Sequence, residues 1–418
     1  MAPTASDIRH FDWHHVPDGF HDDPFPWYRA LREHRPVHRS PDGSCTLTRY
    51  ADCAAVYRDT RCSSDKQRMF RPNFGDGPLF EHHTSSLVFN DPPYHTRVRQ
   101  LLADALRPAA IKAMRQPLQA MVERLLDEAE TRSEETVDLI ECFAMAIPVE
   151  VIANFLTVPR EERAQLRGWS LKILGALEVA LGAEQKAAGE AAVVEFCDYL
   201  RGLIERRRRA GRGDATDILS ILIRSRDRGE LTEEELLHNC IFLLNAGHET
   251  TTNLIGNGIA ELLRHPEQLE RLKASPTLIK SAVEEVLRFQ SPNQLGNREI
   301  IEALDIGGVH LPAGTMIALV IGAANRDPAK FADPERFDIA RHPNPHLAFA
   351  TGIHTCLGMT LARLEGQIAI SAFFERFPDA ELAGLPRYQR RSRFRGLESL
   401  PVRLNPSRPA SAGQRAMA

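Results

Sequence analysis

One cysteine near the carboxyl end of the chain stands where a thiolate could be a metal ligand or a nucleophile. Cys356 follows a turn-rich loop that begins near Phe349, and a helical pattern starts directly after Gly358. Free backbone N–H groups and the helix dipole stabilise a thiolate at such a helix start. The seven cysteines are scattered and form no CxxC pair, which argues against a disulfide framework or a structural zinc site.

The chemistry open to Cys356 is narrow. A cysteine hydrolase needs a general base and an orienting partner, and no local pattern supplies them. Zinc needs more cysteine or histidine ligands nearby than His354 alone. A haem iron, in contrast, accepts one thiolate as its single protein ligand. An isolated cysteine is more often buried and inert, so the residues around it must distinguish these possibilities.

A second group of reactive side chains lies in the middle of a long predicted helix. Thr232 and Glu235 form a capping box and Pro266 closes the segment, so it spans about 50 Å at 1.5 Å per residue. Its centre, Ala246-Gly247-His248-Glu249-Thr250-Thr251-Thr252, combines poor helix formers with a carboxylate and hydroxyls. A zinc-protease HExxH motif fails here, because its last position is threonine. A surface face with a tolerated glycine is the alternative to a functional site.

The elements that position these residues are mostly helices. Helical patterns follow Asp91, run from Phe143 to Phe155 and occupy Glu184 to Arg209. Strand-like segments are few and short: Thr46 to Thr48, Ile300 to His310, Met316 to Ile321 and Val402 to Leu404. We therefore expect a mainly α fold with a minor β-sheet region, as one domain over 1–405, and a disordered tail over 406–418.

Composition and charge exclude several classes of protein. The 418 residues are 43% hydrophobic and 26% charged, which is ordinary globular usage. A formal net charge of −4 disfavours general nucleic-acid binding. The polar segment 1–23 lacks the apolar core of a secretory signal, and no apolar stretch reaches the ~20 residues of a membrane span. We expect a cytoplasmic monomer without nucleic-acid or membrane partners.

The segment around Cys356 resembles the haem-binding signature of the cytochrome P450 family, Phe-x-x-Gly-x-His/Arg-x-Cys-x-Gly. The residues that match it in register are Phe349, Gly352, His354, Cys356 and Gly358. The family usually has glycine at the second position of this signature, where the present chain has Ala350. The resemblance therefore leaves the turn geometry at that position to be determined.

Three further motifs follow in the order found in the family. Glu285-Val286-Leu287-Arg288 resembles its ExxR helix, in which the first and last residues share a face and can pair. Pro334-Glu335-Arg336-Phe337 resembles the segment that supplies a third member, Arg336, and the triad is expected to fix the cysteine loop. The stretch 246–251 resembles the oxygen-activation motif of the long central helix. Four motifs in order across most of the chain make the resemblance specific.

The resemblance implies the cytochrome P450 fold, with haem b between the central helix and the cysteine helix. Cys356 would be the axial iron ligand, and the haem propionates, being carboxylates, would need donors or cations around them. The residues implied for cofactor binding are Cys356, His95, Arg99, Arg298, His354, Phe349 and Gly358. The implied reaction is that of a monooxygenase, which inserts one atom of O₂ into an organic substrate and releases the other as water.

The central helix carries the implied catalytic residues. Proton delivery to O₂ requires a hydroxyl that binds it and an acid linked to solvent, and the resemblance implies Thr250 and Glu249 for these roles. A break around Gly247 is expected to open room for O₂ and water. The implied substrate pocket is mostly apolar and fits a small to medium hydrophobic molecule. Its residues are Phe242, Asn245, Ala246, Asn293 and Leu295.

The source of electrons is expected to lie outside the chain, because it contains no flavin or iron–sulfur sequence. The resemblance implies a ferredoxin and a ferredoxin reductase, for which Arg97, Arg99 and Arg363 would form a basic docking face. Two alternatives are a haem-thiolate protein that senses a ligand without turnover and a peroxide-driven haem enzyme. Glu249 and Thr250 argue against both, since a binder needs no proton relay and enzymes that do not use O₂ often lack this pair.

Overall fold

The computed structural model describes residues 3–131, 136–211 and 217–404. The predicted tail over 406–418 lies outside the described residues. The α-helices in chain order are α1 (Ala5–Arg9), α2 (Phe25–His34), α3 (Tyr50–Arg58), α4 (Gln67–Phe74), α5 (Pro78–Thr84), α6 (Tyr94–Ala105), α7 (Pro108–Ala113), α8 (Arg115–Thr131), α9 (Ala146–Phe155), α10 (Ala164–Gly175), α11 (Ala183–Arg209), α12 (Ile218–Asp227), α13 (Glu233–Arg264), α14 (Pro266–Ala274), α15 (Ile279–Phe289), α16 (Ile321–Ala324) and α17 (Met359–Arg376).

The β-strands are short and form small sheets, so the predicted mainly α fold with a minor β region is confirmed. They are β1 (Val37–Arg39), β2 (Cys45–Leu47), β3 (Cys62–Ser63), β4 (Val137–Asp138), β5 (Leu295–Ile300), β6 (Leu304–Ile306), β7 (Val309–Leu311), β8 (Met316–Val320), β9 (Glu381–Leu382), β10 (Arg387–Tyr388), β11 (Leu397–Ser399) and β12 (Pro401–Arg403). The largest sheet has the order β1-β2-β8-β5-β3, in which β2 and β8 run parallel and the other pairs antiparallel.

The segment predicted as one strand from Ile300 to His310 is instead the end of β5 followed by a hairpin. β6 pairs with β7 through Ile306 and Val309, and the two residues between them are Gly307 and Gly308. Their φ angles are +57° and +79°, which glycine adopts without steric cost. Two residues of positive φ give the tight turn whose twist matches a β-hairpin.

The long helix α13 has the limits that its sequence predicts. Thr232 is its N-cap, and its hydroxyl accepts a hydrogen bond from the Glu235 backbone N–H at 3.1 Å. The Glu235 carboxylate in turn accepts from the Thr232 N–H at 2.9 Å, which completes the capping box. His265 ends the helix, and Pro266 begins the next one.

The expected break of α13 at Gly247 was wrong, because the helix is continuous from Glu233 to Arg264. A Cβ built on Gly247 would lie 2.8 Å from the Cδ1 atom of Ile152 on α9. Glycine at this position therefore lets α9 approach α13 closely. Its lack of a side chain serves helix packing, and the helix backbone remains regular.

Two large apolar clusters meet along α13 and fix its position. Ile255 and Ile259 pack with α8, α15 and α17, whereas Leu237 and Ile241 pack with α6, α10, α11 and α12. A single element that takes part in both clusters cannot shift without disturbing both cores. The middle of α13, between the two clusters, is therefore held rigidly.

The polar N-terminal segment packs onto the fold through three aromatic side chains. Phe11, Trp13 and Phe20 are at most 6% exposed and pack against α2 and β5. The Trp13 indole N–H donates to the Thr46 hydroxyl at 2.9 Å, so the segment is tied to β2. Aromatic residues bury a large apolar area each, and a few of them suffice to fix a polar segment.

Three buried histidines join α5 to the first half of α13. The ring centroid of His82 lies 5.0 Å from that of His83 and 5.5 Å from that of His238. The Nε2 atom of His238 is 3.6 Å from a carboxylate oxygen of Glu81. Burial lowers the pKa of all three imidazoles, to about 3 for His83. They are therefore neutral in the folded protein near neutral pH.

This cluster predicts a loss of stability in mild acid. As pH falls below ~6.5 the unfolded chain gains protons that the folded chain cannot accept, so stability is lost down to the folded pKa. For His83 the loss at pH 5 is about 2 kcal/mol, from 1.36 kcal/mol per pKa unit. We expect His83→Gln to remove about this much from the difference in unfolding free energy between pH 7.5 and pH 5. Urea unfolding at both pH values measures this difference, and the exposed His310→Gln serves as control. If the unfolding free energy changes equally with pH in the two variants, the prediction is wrong.

Candidate active site

Cys356 lies in the turn that leads into α17. Its backbone N–H donates to the Phe349 carbonyl at 2.9 Å and closes the loop. Cys356 is exposed, whereas the other six cysteines are buried. Burial nevertheless raises the pKa of its thiol, opposed by the Gly358 N–H and by the guanidinium groups of Arg99 and Arg363. Cys356 is thus an exposed residue whose thiol nevertheless has many protein atoms around it.

The two positions at the tip of this loop have left-handed backbone. The φ angle is +55° at Ala350 and +79° at Gly352. A Cβ built on Gly352 would lie 2.4 Å from the Tyr57 carbonyl oxygen, which is a backbone atom and cannot move aside easily. Ala350 keeps the left-handed turn despite its Cβ, at a cost of roughly 1 kcal/mol.

We expect Ala350→Gly to raise the free energy of unfolding by about 0.5 kcal/mol, because relief of the left-handed strain, roughly 1 kcal/mol, outweighs the roughly 0.5 kcal/mol that glycine costs through the unfolded chain. Ala348→Gly is the control; its φ is not positive, and glycine there should destabilise by about 0.5–1 kcal/mol through the unfolded chain. Gly352→Ala should destabilise the loop through the contact with Tyr57. Urea unfolding of the three variants tests this. A destabilised Ala350→Gly protein would show that the left-handed backbone is not a source of strain.

A buried ion pair fixes the chain that approaches this loop. The Nε and Nη2 atoms of Arg288 donate to the two carboxylate oxygens of Glu285 at 2.8 Å, and both side chains are 0% exposed. The Nη1 atom of Arg288 donates to the carbonyls of Asn325 and Pro334 at 3.0 and 2.8 Å. The predicted pairing within ExxR therefore occurs, and it ties α15 to the segments around 325 and 334.

The third member of this network is Arg341, and the predicted Arg336 was wrong. The Nε atom of Arg341 lies 3.1 and 3.2 Å from the two carboxylate oxygens of Glu285. The side chain of Arg336 is exposed, and only its backbone carbonyl takes part, as an acceptor for Arg288 and Arg341. The Asp338 N–H donates to the Glu285 carboxylate at 2.9 Å, so the residues that follow Asp338, rather than those before it, lie over that carboxylate.

Four predicted cofactor-binding residues come together beside the cysteine loop. The rings of His95 and His354 are 4.1 Å apart, and the guanidinium of Arg99 donates to the Thr355 carbonyl at 2.7 Å. Burial, followed by His354, Arg99 and Arg298, lowers the pKa of His95 to about 4, although Asp91 opposes this shift. The four residues therefore act on one another as one electropositive cluster.

This cluster suits the carboxylates of a haem. The Nδ1 atom of His95 is buried and has no hydrogen-bond partner, and the Nε2 atom of His354 lies 3.7 Å from a carboxylate oxygen of Asp91. Arg298 is 8% exposed and donates to the Asn297 carbonyl at 2.7 Å. Buried donors require acceptors, and two propionates would supply them. A Cβ on Gly358 would meet no atom within 4 Å, which leaves open space next to Cys356. The residues present thus fit a haem and its two propionates.

One stripe of α13 remains accessible although most of the helix is buried. Phe242, Gly247 and Thr250 are half-buried and Ala246 is exposed, and their spacing places them on one helix face. The Thr250 hydroxyl donates to the Ala246 carbonyl at 2.8 Å. Phe242 packs at the edge of the same apolar cluster as Leu357, the residue after the cysteine. The stripe and the cysteine loop therefore both adjoin this cluster.

The other residues predicted for the pocket differ in their surroundings. Asn245 is 6% exposed, and its Oδ1 atom has no hydrogen-bond partner. The same holds for the Oδ1 atom of the half-buried Asn293. Leu295 is 2% exposed and packs in the N-terminal aromatic cluster, because successive residues of β5 face opposite sides of the sheet. The structure thus leaves polar groups at two of these positions and places Leu295 in a core.

Glu249 lies on a different face of α13 from the stripe. It is 2% exposed and pairs with Arg391, whose Nε atom also lies 2.9 Å from a carboxylate oxygen of Glu178. Burial raises the pKa of Glu249 to about 7, against the effect of Arg391. These three residues line a cavity of about 500 Å³. Sequence reasoning missed Arg391 and Glu178, since neither belongs to a motif and tertiary packing alone brings them to Glu249.

The predicted basic docking face is largely neutralised. The guanidinium of Arg97 lies 2.6 Å from a carboxylate oxygen of Glu235, and that of Arg363 lies 2.7 Å from Glu284. Arg99 is engaged with the Thr355 carbonyl. Paired charges contribute little net field at a surface, so these residues do not form a basic patch.

Comparison with known proteins agrees with this geometry. A family model described as Cytochrome P450 matches residues 179–382. The chain is 38% identical over 388 residues to the biotin biosynthesis cytochrome P450 of Bacillus subtilis (strain 168), covering 91% of this chain and 95% of the relative. It is 38% identical over 394 residues to the vitamin D(3) 25-hydroxylase of Pseudonocardia autotrophica, covering 93% and 95%. The crystal structure of P450BioI in complex with hexadec-9Z-enoic acid ligated acyl carrier protein has a TM-score of 0.88 at 36% identity, covering 93% of this chain and 100% of that one.

The chain therefore belongs to the cytochrome P450 family. Its cofactor is haem with a cysteine thiolate as iron ligand, and it is a monooxygenase that acts on an organic substrate. Among the residues that the structure describes, no helix has the length and apolar character needed to cross a membrane.

Proposed function

We propose that this enzyme inserts an oxygen atom into a small to medium hydrophobic molecule, with Cys356 as the iron ligand. The observation that carries the proposal is the exposed Cys356 in a loop beside which His95 and His354 lie with their rings 4.1 Å apart, the Nδ1 atom of His95 being buried and without a hydrogen-bond partner. When bound, the haem supplies the iron that activates O₂, with electron density donated by the thiolate. His95, Arg99, Arg298 and His354 would hold the propionates.

The proton supply is assigned to two consecutive residues of α13. Glu249 lines the 500 Å³ cavity, and its pKa of about 7 suits both uptake and release of a proton near neutral pH. Thr250 holds a proton at its hydroxyl on the accessible stripe, where it now donates to the Ala246 carbonyl. Arg391 fixes the Glu249 carboxylate, so we assign it a positioning role.

The substrate class follows from the stripe and from the relatives. Phe242 and Ala246 offer apolar surface, while Asn245 and Asn293 each carry an unpartnered oxygen that would accept a hydrogen bond from a polar group of the substrate. The relatives named above are a vitamin D(3) hydroxylase and an enzyme solved with an acyl chain on its carrier protein. Both ligands are mainly hydrophobic, which supports a lipophilic substrate here.

The partners and compartment are part of the same proposal. We assign the electron supply to a ferredoxin and its reductase, since bacterial relatives of this class dominate the comparisons. With Arg97 and Arg363 already paired, we expect the reduction rate to depend only weakly on salt. All seven cysteines are free, which supports a reducing compartment, the cytoplasm.

The first experiment is the optical spectrum of the reduced protein with carbon monoxide. We expect a strongly red-shifted Soret band in the wild type, because a thiolate ligates the iron. Cys356→Ser should lose this band completely, and the buried Cys197→Ser should keep it. A wild-type band typical of histidine ligation, or loss of the band in both variants alike, would remove Cys356 as the ligand.

A second measurement separates turnover from its alternatives. Product formation with NAD(P)H, a ferredoxin and its reductase should exceed that with hydrogen peroxide alone, because Glu249 and Thr250 supply the protons that O₂ activation consumes. Equal or greater product with peroxide would favour the peroxide-driven enzyme. Ligand binding without product under either condition would favour a sensor.

A further inference from the structure

We propose that Lys66 binds a carboxylate group carried by a ligand of the haem chamber; this inference rests on the proposed function. Lys66 is the residue before α4, and it is 1% exposed. Its Nζ atom has no hydrogen-bond partner. An ammonium carries three donors, and buried cations in native proteins are paired or hydrogen-bonded. The Lys66 ammonium therefore lacks a partner that accepts its hydrogen bonds and carries a negative charge.

The protein itself does not supply that group. The charges that act on Lys66 are those of Arg298, Asp91, Glu299 and Arg393. Two of these are cations that repel it. Both carboxylates, those of Asp91 and Glu299, already have other partners. When the ammonium itself is counted, three cations face two carboxylates that already have other partners, so an anion would be attracted to Lys66.

Asp91 and Glu299 each serve another partner. Asp91 accepts hydrogen bonds from the Ser63 hydroxyl and, at 2.9 Å, from the Ser64 backbone N–H. A second carboxylate, that of Glu299, lies 3.1 Å from the Nε atom of Arg68. Neither forms a hydrogen bond or ion pair with Lys66.

Lys66 follows a strand that is paired with β5, the strand of the proposed propionate donor Arg298. The pairing of Ser63 with Glu299 aligns its segment with β5, which carries Arg298. In the helix that follows Lys66, the ring of Phe70 packs 5.1 Å from that of Phe89, in the loop before α6. A carboxylate could thus reach Lys66 either as a haem propionate or as the acid group of an organic substrate. Both sources present the same chemistry, a charge-assisted N–H···O bond.

The lowered pKa of Lys66, about 7, agrees with this arrangement, since burial and Arg298 disfavour its charge. A bound carboxylate would restore the charge. Binding of an acid at this site should therefore weaken as pH rises above neutrality, whereas binding of the matching ester should not change.

The test compares dodecanoic acid with its methyl ester on the haem-loaded protein. Optical titration should show that the wild type prefers the acid by about ten-fold, and that Lys66→Met abolishes this preference while keeping the affinity for the ester. The exposed Lys280→Met serves as control and should behave as the wild type. This result identifies the acid group of the substrate as the partner.

Haem transfer to apomyoglobin provides the second arm. If Lys66→Met releases haem about ten-fold faster than Lys280→Met, with the acid-to-ester ratio unchanged, the partner is a propionate. An unchanged acid-to-ester ratio together with unchanged haem release in Lys66→Met would overturn the proposal. Should Lys66→Met not fold, Lys66→Arg, which keeps the charge, is expected to retain the acid preference above pH 8. A red-shifted carbon monoxide band in the variants separates failure of this proposal from failure of the proposed function.

Discussion

Replacement of Arg341 by methionine is expected to lower the free energy of unfolding by about 3 kcal/mol, because a buried carboxylate would lose one of its two cationic partners. Glu285 is 0% exposed, and Arg288 alone would then balance its charge. Arg341 also donates to the carbonyls of Ala332 and Asp333, at 2.6 and 3.0 Å, and these acceptors would be left to solvent. Urea unfolding measures the change, and the haem content after purification reports whether the cysteine loop is still fixed.

Arg336→Met is the matched control for this prediction. Its side chain is exposed and its carbonyl, which carries its role, is unchanged by the substitution. We expect a change of less than about 0.5 kcal/mol in unfolding free energy and normal haem content. If Arg336→Met loses more unfolding free energy than Arg341→Met, then Arg336 is the third member of the network, as the sequence motif predicted.

Thr250→Ala is expected to uncouple electron consumption from product formation. The amount of product per NAD(P)H should fall at least about ten-fold, while NAD(P)H oxidation continues, because the proton held at the threonine hydroxyl is no longer available at the stripe. Thr84→Ala is a matched control, since that hydroxyl makes the same bond to the carbonyl four residues earlier, at 2.8 Å, but lies on α5. Parallel measurement of product and NAD(P)H tests this; unchanged coupling in Thr250→Ala would exclude the assignment.

Glu249→Gln extends the same prediction to the proton source. We expect turnover to fall by about 10²-fold, because an amide cannot deliver a proton. In the wild type, the carboxylic acid form is lost as pH rises through about 7, so the turnover rate should decline across that range. The variant should lack this dependence. A wild-type profile that is flat from pH 6 to 8 would show that another group controls proton entry.

The sequence predicted those parts of the site whose residues are close along the chain. The capping box of α13 and the pairing of Glu285 with Arg288 each depend on residues three apart. The helix periodicity alone brings such residues together, whatever the rest of the fold does. The gathering of His95 with His354 was accessible only through the resemblance to a family, because 258 positions separate them.

The parts that the sequence did not predict depend on packing between distant segments. Arg341 replaces Arg336 because the chain folds over Glu285 after Phe337, a turn that no short motif encodes. Arg391 reaches Glu249 from a segment more than a hundred residues away. The predicted helix break at Gly247 was wrong for the same reason. The absence of a side chain at Gly247 makes room for Ile152 of α9, and local helix propensity does not reveal such a contact.

The position of Glu249 and Thr250 as neighbours on one helix has a consequence for altering this enzyme. Glu249 lines the cavity of about 500 Å³, whereas Thr250, the next residue of α13, lies on the accessible stripe that we propose for the substrate. If the proposed pocket is correct, substitutions at Phe242 or Ala246 are expected to change substrate preference without altering the cavity lining. Changes at Glu178 or Arg391 can tune proton supply while the range of accepted molecules stays the same. The two properties are separable engineering targets.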